Sequence, residues 1–159
     1  MKDKKKTNAA RILDRLNISY EFREYEVDET DLSAVHVAAT AHIPIEQVYK
    51  TLVCRGDKTG VIMAVIQGDK ELDLKAIAAA SGNKRVEMVH LNEIRELTGY
   101  IRGGCSPLGA KKNYPVFIDE RAAALPSVSV SAGIRGGQLW LAPQDLAKAT
   151  NGKFAKIMR

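Results

Sequence analysis

The 159-residue chain is poor in the features that would place it quickly. It has two cysteines, Cys54 and Cys105, 51 positions apart and outside any CxxC or Cys/His ligand spacing. That usage excludes a disulfide scaffold and fits free thiols in a reducing compartment, so a cytoplasmic location is expected. No apolar run approaches the ~20 residues that cross a bilayer. The opening Met1-Lys2-Asp3-Lys4-Lys5-Lys6 lacks the apolar core of a secretory signal. His36, His42 and His90 show neither HxxxH nor HxH spacing, and no carboxylate pair stands near them at ligand spacing, so no metal site is expected. GxGxxG and GxxxxGK[ST] are both absent, which removes the two commonest phosphate cradles and leaves no cofactor to expect. Nor is there a nucleophile elbow: Pro107 follows Ser106, and the next glycine comes one position late for G-x-S-x-G.

What remains is an ordinary globular composition. Hydrophobic residues make up 45% of the chain, enough for one core at this length. With no repeat, low-complexity tract or Pro/Ser-rich linker, residues 1–159 read as a single domain, with 1–6 as a flexible basic tail. The net charge of +5 is unevenly spread. Residues 1–6 carry four Lys and one Asp, residues 7–101 eleven basic and fifteen acidic side chains, and residues 102–159 nine basic and three acidic. A basic final third suits a polyanionic partner if those residues share a face, and equally suits a solvated surface.

Periodicity supplies the elements. Thr7 caps a helix running to Asn17, and Tyr20 to Val27 alternates as a half-buried strand. Leu32 to Ala41 reads as a short helix, and Val48–Arg55 with Gly60–Gln67 as a hairpin across a loop of ~4–5 residues. Asp73–Ser81 and Leu91–Thr98 are helices stopped by Gly82 and Gly99. Strands are expected at Arg85–Met88, Pro115–Ile118, Ser127–Ser131 and Gln138–Leu141, with Phe154–Met158 as a short final one, and Pro143 opens the last helix. The predicted class is α+β: a mixed, largely antiparallel, barrel-like sheet of six or seven strands with short peripheral helices.

Three segments could carry chemistry. Lys50 falls in phase with Val48, Leu52 and Cys54 on a hydrophobic strand, where an ammonium is costly unless paired, placed for chemistry or snorkelling to water. In Tyr100-Ile101-Arg102-Gly103-Gly104-Cys105-Ser106-Pro107-Leu108-Gly109, adjacent glycines let the backbone approach a ligand and can present N–H groups to a carbonyl oxygen. Ser127, Ser129 and Ser131 share one strand face, which can line a polar pocket or, as is commoner, meet solvent. Cys105 could be a nucleophile, but no partner histidine is identifiable in the sequence.

Singly these signals are weak; their order is specific. Tyr49-Lys50-Thr51-Leu52, Gly103-Gly104-Cys105-Ser106-Pro107-Leu108-Gly109-Ala110-Lys111-Lys112, Val130-Ser131-Ala132-Gly133 and Ala142-Pro143-Gln144-Asp145-Leu146 together resemble the YbaK/EbsC family over essentially the whole chain. The likeness is greatest to its free-standing Cys-tRNA(Pro) deacylase branch, relatives of the editing modules of bacterial prolyl-tRNA synthetases. The resemblance implies a mixed β-barrel and an enzyme that removes cysteine misattached to tRNA(Pro), with that tRNA and the synthetase as partners. It implies that the substrate's own thiol attacks its ester, so that no protein nucleophile is needed. The family lysine falls on Lys50 and its GxxxP motif on Gly103 to Pro107. Gly103 and the N–H groups after it would meet the carbonyl oxygen, while Tyr25, Thr51, Gly104, Ser131 and Gly133 would shape the pocket. Lys111, Lys112 and Arg135 would contact the tRNA backbone. One departure is Ala132, where the family more often has glycine, which leaves the preferred amino acid open, alanine included. A non-catalytic tRNA- or synthetase-binding module of the same fold, and a hydrolase using Cys105, remain as alternatives.

Overall fold

The computed structural model describes residues 7–159, so the expected basic tail at residues 1–6 lies outside the described residues. Five α-helices run at Asn8–Arg15 (α1), Ala34–Ala41 (α2), Leu74–Ser81 (α3), Ile94–Thr98 (α4) and Pro143–Thr150 (α5). Eight strands run at Glu21–Glu24 (β1), Tyr49–Gly56 (β2), Gly60–Gln67 (β3), Val86–Met88 (β4), Val116–Asp119 (β5), Val128–Ser131 (β6), Gly137–Leu141 (β7) and Lys153–Ala155 (β8). None of the helices among the described residues is long and apolar enough to cross a membrane.

The local chemistry explains most boundaries. Thr7, Ser33 and Asp73 each cap a helix by accepting a backbone N–H three residues on. Gly82 and Gly99 end α3 and α4 in the left-handed region, at φ +78° and +83°. The expected helix over Leu91–Thr98 divides into a 3-10 turn at Leu91–Glu93 and then α4. The expected last strand is shorter and earlier, because Ile157 and Met158 leave the sheet. Their N–H groups donate to Oδ1 of buried Asp119, at 2.9 and 3.1 Å.

The strands form two sheets, ordered β1-β7-β6 and β4-β2-β3-β5-β8. Pairing is antiparallel except β3 with β5 and β5 with β8, which are parallel. The α+β class holds, but the expected barrel does not: neither sheet closes. The reason lies on one edge of β2. There β6 touches the chain only at an isolated bridge between Val48 and Ser129, and β4 pairs only with Cys54–Gly56. Between those points the edge has no strand partner among the described residues. Below it lies a core of Leu13, Met63, Val65, Leu108, Ile118, Leu139 and Leu146, with a second around Ile62, Ile66, Ile77 and Ile157.

The β2–β3 hairpin owes its shape to a distant side chain. Buried Asn83 accepts the N–H groups of Lys58 and Thr59 at 2.8 and 3.0 Å and donates to Thr59 Oγ1 and Ser81 Oγ. Asn83→Ala strands two turn N–H groups, so it should cost about 2–3 kcal/mol, read as a lower urea midpoint with unchanged slope.

Candidate functional site

The gap in pairing along β2 is the mouth of a cavity of about 370 Å³. Lys50 and Thr51 of β2, Arg102, Gly103 and Cys105 of the glycine loop, and Ser131 and Gln138 of the β6–β7 hairpin line it. Leu32, Val37, Leu52, Leu91 and Ile94 make it apolar elsewhere. Its size falls at the lower end of small-molecule sites.

The backbone of β2 also faces this space. Val48 O accepts from Gly68 N at 2.7 Å on the β3 side, and Val53 O from Val89 N at 3.1 Å on the other. Peptide groups alternate along a strand, so those of Thr51 face the gap. Thr51 Oγ1 is buried and has no hydrogen-bond partner among the described residues. An unmade hydrogen bond of that kind costs about 1–3 kcal/mol, and in a cavity wall it is a place for a ligand to bind.

Lys50 is half-buried opposite Ile66 on β3 and lines the cavity. Burial draws its pKa below the ordinary 10.5, against an upward pull from the carboxylates of Asp69 and Glu71. Gly103 takes φ +84°, and a Cβ there would come 3.3 Å from Leu32 Cδ1 and 3.4 Å from Arg135 Nε. The next N–H, that of Gly104, is already committed to Ile101 O at 2.9 Å. Cys105 has its thiol pushed up to about 11 by burial, partly offset by a hydrogen bond from Thr98. It is therefore a thiol, not a thiolate, near neutrality. Cys54, buried on β2, is pushed up to about 12 by burial alone.

The serine row turns inward, against the commoner expectation. Ser129 is fully buried and Ser131 nearly so. Ser129 Oγ donates to Gln138 Oε1 at 2.6 Å, and Ser131 Oγ accepts from Gly133 N at 3.1 Å. Gln138 is the residue that sequence reasoning passed over. It is buried, it carries the only side-chain amide lining the cavity among the described residues, and Ser129 fixes its oxygen end.

Of the other expected site residues, Gly104 is buried where a Cβ would meet Ile134 C at 3.1 Å and Arg135 N at 3.2 Å. Gly133, at φ +97°, lies under the ring of Tyr100, whose hydroxyl donates to Leu108 O. Tyr25 packs beside the Ala38–Val48 cluster, and its N–H donates to Gly136 O at 3.0 Å. Pro107 and Lys112 line a neighbouring cavity, and Lys111 is exposed beside Gly99. Arg135 is engaged within the protein: its Nε donates to Arg102 O at 2.8 Å and its Nη1 stands 3.6 Å from Glu29. Ala132 points its methyl into the main core with no exposure, away from the cavity lining. Among the described residues no three His, Cys, Asp or Glu side chains come together as a metal-ligand group.

The site thus gathers a lysine, a glycine loop and a buried hydroxyl–amide pair around a largely apolar cavity. The aminoacyl-tRNA editing domain family matches residues 29–149, and the chain belongs to that family. Among its relatives, EbsC of Enterococcus faecalis is 48% identical over 98% of this chain and 95% of its own length. That protein carries the provisional name Cys-tRNA(Pro)/Cys-tRNA(Cys) deacylase. A proline–tRNA ligase of Thermosipho africanus is 36% identical over 48% of this chain, a stretch that makes up 13% of the ligase. The fold is shared with the crystal structure of APE2540, at a TM-score of 0.87 and 23% identity over 96% of this chain and all of that one. It is shared also with a structure described provisionally as a trans-editing enzyme for prolyl tRNA synthetase, at 0.80 and 24% over 96% and 97% of the two chains.

Proposed function

We propose that this chain is an aminoacyl-tRNA deacylase that removes cysteine from Cys-tRNA(Pro), with the substrate thiol as nucleophile. The observation that carries the reading is a cavity that can position an ester beside Lys50 and Gly103 while its one thiol, Cys105, is held protonated. In-line positioning is the main requirement of an intramolecular attack, so a site without its own nucleophile suffices. The cysteinyl sulfur bonds to its own ester carbonyl carbon and the bond from that carbon to the terminal ribose oxygen breaks. The thiol proton ends on the ribose oxygen, and water later opens the thiolactone. Lys50 orients the terminal ribose or phosphate. The N–H groups of Gly103 and Cys105 receive the carbonyl oxygen, because that of Gly104 is taken. Thr51, Ser131 and Gln138 meet the amino-acid end, and Ala132 leaves its shape unchanged.

Incubation with Cys-tRNA(Pro), Cys-tRNA(Cys), Ala-tRNA(Pro), Ser-tRNA(Pro) and Pro-tRNA(Pro) tests this. Cysteinyl esters should disappear, while the serine ester, which lacks only the thiol's reactivity, should persist. Cys105→Ala should keep the wild-type rate. No ester lost faster than in buffer would leave a non-catalytic binding module; a dead Cys105→Ala that still folds would return the nucleophile to the protein.

A further inference from the structure

Of the three cations singled out by sequence for the tRNA backbone, Lys112 alone is among those best placed to receive a polyanion. The glycine loop that lines the reaction cavity with Gly103 and Cys105 continues as Pro107–Ala110 along two further cavities, of about 580 and 270 Å³. These adjoin at Ile12 and Gly109 and make one groove. Arg11 and Arg15, one turn apart on α1, border its first part; Lys112 and Lys148 border its second. Asn8, Asn113 and Asn151 add neutral donors along the way.

All four cations are exposed, and none is held in an ion pair among the described residues, where Arg23, Arg55, Arg135 and Arg159 each have a carboxylate. Among the described residues Asp14 is the one acid in the lining, and it accepts from Tyr20 Oη at 2.9 Å. Residues 7–101 carry more acid than base, yet two of their arginines sit on this groove, joined there by lysines more than 90 positions later. Surfaces kept soluble by charge mix the two signs evenly; a groove walled mainly by one sign, here four cations to one acid among the described residues, concentrates the field instead.

Close packing fixes this groove relative to the reaction cavity. A Cβ on Gly109 would come 2.7 Å from Tyr100 Oη and 3.3 Å from Ala9 N, so the loop is seated directly on α1. One loop thus has the ester-sized cavity along one stretch and the basic groove along the next.

We propose that this groove seats the sugar-phosphate backbone of the RNA whose acylated end occupies the cavity, with Arg11, Arg15, Lys112 and Lys148 as its phosphate contacts. The proposal rests on the deacylase reading for the acylated end, and it replaces Arg135, whose guanidinium braces the loop through Arg102 O. An occupant must be polyanionic and continuous with the ester, and RNA is both.

Binding of uncharged tRNA(Pro), followed by fluorescence anisotropy from about 50 to 300 mM KCl, tests it without using the reaction. Arg11→Gln/Arg15→Gln and Lys112→Gln/Lys148→Gln should each weaken binding at least about tenfold and lower the salt slope by about 2. Arg11→Lys/Arg15→Lys should restore the slope, and Lys58→Gln/Lys84→Gln, at the far hairpin turn, should bind as wild type does. Equal affinity and slope in wild type and groove variants overturns the proposal, as does loss of a protein partner with tRNA binding intact. Groove-dependent binding without any deacylation would sink the deacylase reading alone; deacylation with groove-independent binding would sink the groove alone.

Discussion

Lys50→Met should lower the deacylation rate of Cys-tRNA(Pro) by at least about 100-fold and leave the protein as stable as before, or more so. The two halves of that expectation share one cause. The side chain sits half-buried in a largely apolar cavity, and desolvation outweighs the pull of Asp69 and Glu71, so folding disfavours its charged form. A lysine whose folded pKa lies below its unfolded value costs stability in full at pH values below the folded pKa. The cost fades as pH rises from there to the ordinary 10.5, because the unfolded chain then loses the extra proton it carries. Methionine fills a similar volume without a charge to desolvate. Melting curves of the two proteins should therefore differ most near neutrality, in favour of Lys50→Met, and converge toward pH 10.5. Retained activity in the methionine variant would remove Lys50 from the mechanism. A large fall in its melting temperature at pH 7 would show the lysine to be a structural group with a partner.

The balance of sequence and structure differs from element to element. The Gly60–Gln67 strand was legible to the residue because its unbroken apolar run is bounded by a turn glycine and the pairing is local. The α3 helix was legible to within one residue: its stop at Gly82 was read, while Asp73, expected as its first residue, is its cap. Barrel closure was not, since period-two patterns say which residues share a face and nothing about which edge finds a partner. The same limit explains the serine row. Its common face was visible, but its direction is decided by β7, whose register sets Ser131 opposite Gln138. A polar pair expected across two apolar strands was the available signal for Gln138, and it required the hairpin register to be drawn first. Arg135 shows the converse: a cation's charge can be read from sequence, but not whether a nearby carbonyl has already claimed it.

The Ser129–Gln138 pair offers the second large effect, and one that separates architecture from chemistry. Gln138→Leu removes the amide from the cavity and leaves the Ser129 hydroxyl buried without its acceptor. An orphaned hydroxyl at a fully buried position should cost about 1–3 kcal/mol of stability. Loss of the amide should lower kcat/KM for Cys-tRNA(Pro) by about 10- to 100-fold, the scale of one well-placed polar contact. Adding Ser129→Ala to Gln138→Leu takes away both partners, and a pair replaced by apolar groups is nearly neutral to folding. The double variant should thus regain most of the lost urea midpoint while its kcat/KM stays low. If activity returns together with stability, Gln138 serves the fold only, and the amino-acid end of the cavity is left to Thr51 and Ser131. If stability fails to return, the two side chains are not coupled as their 2.6 Å hydrogen bond requires.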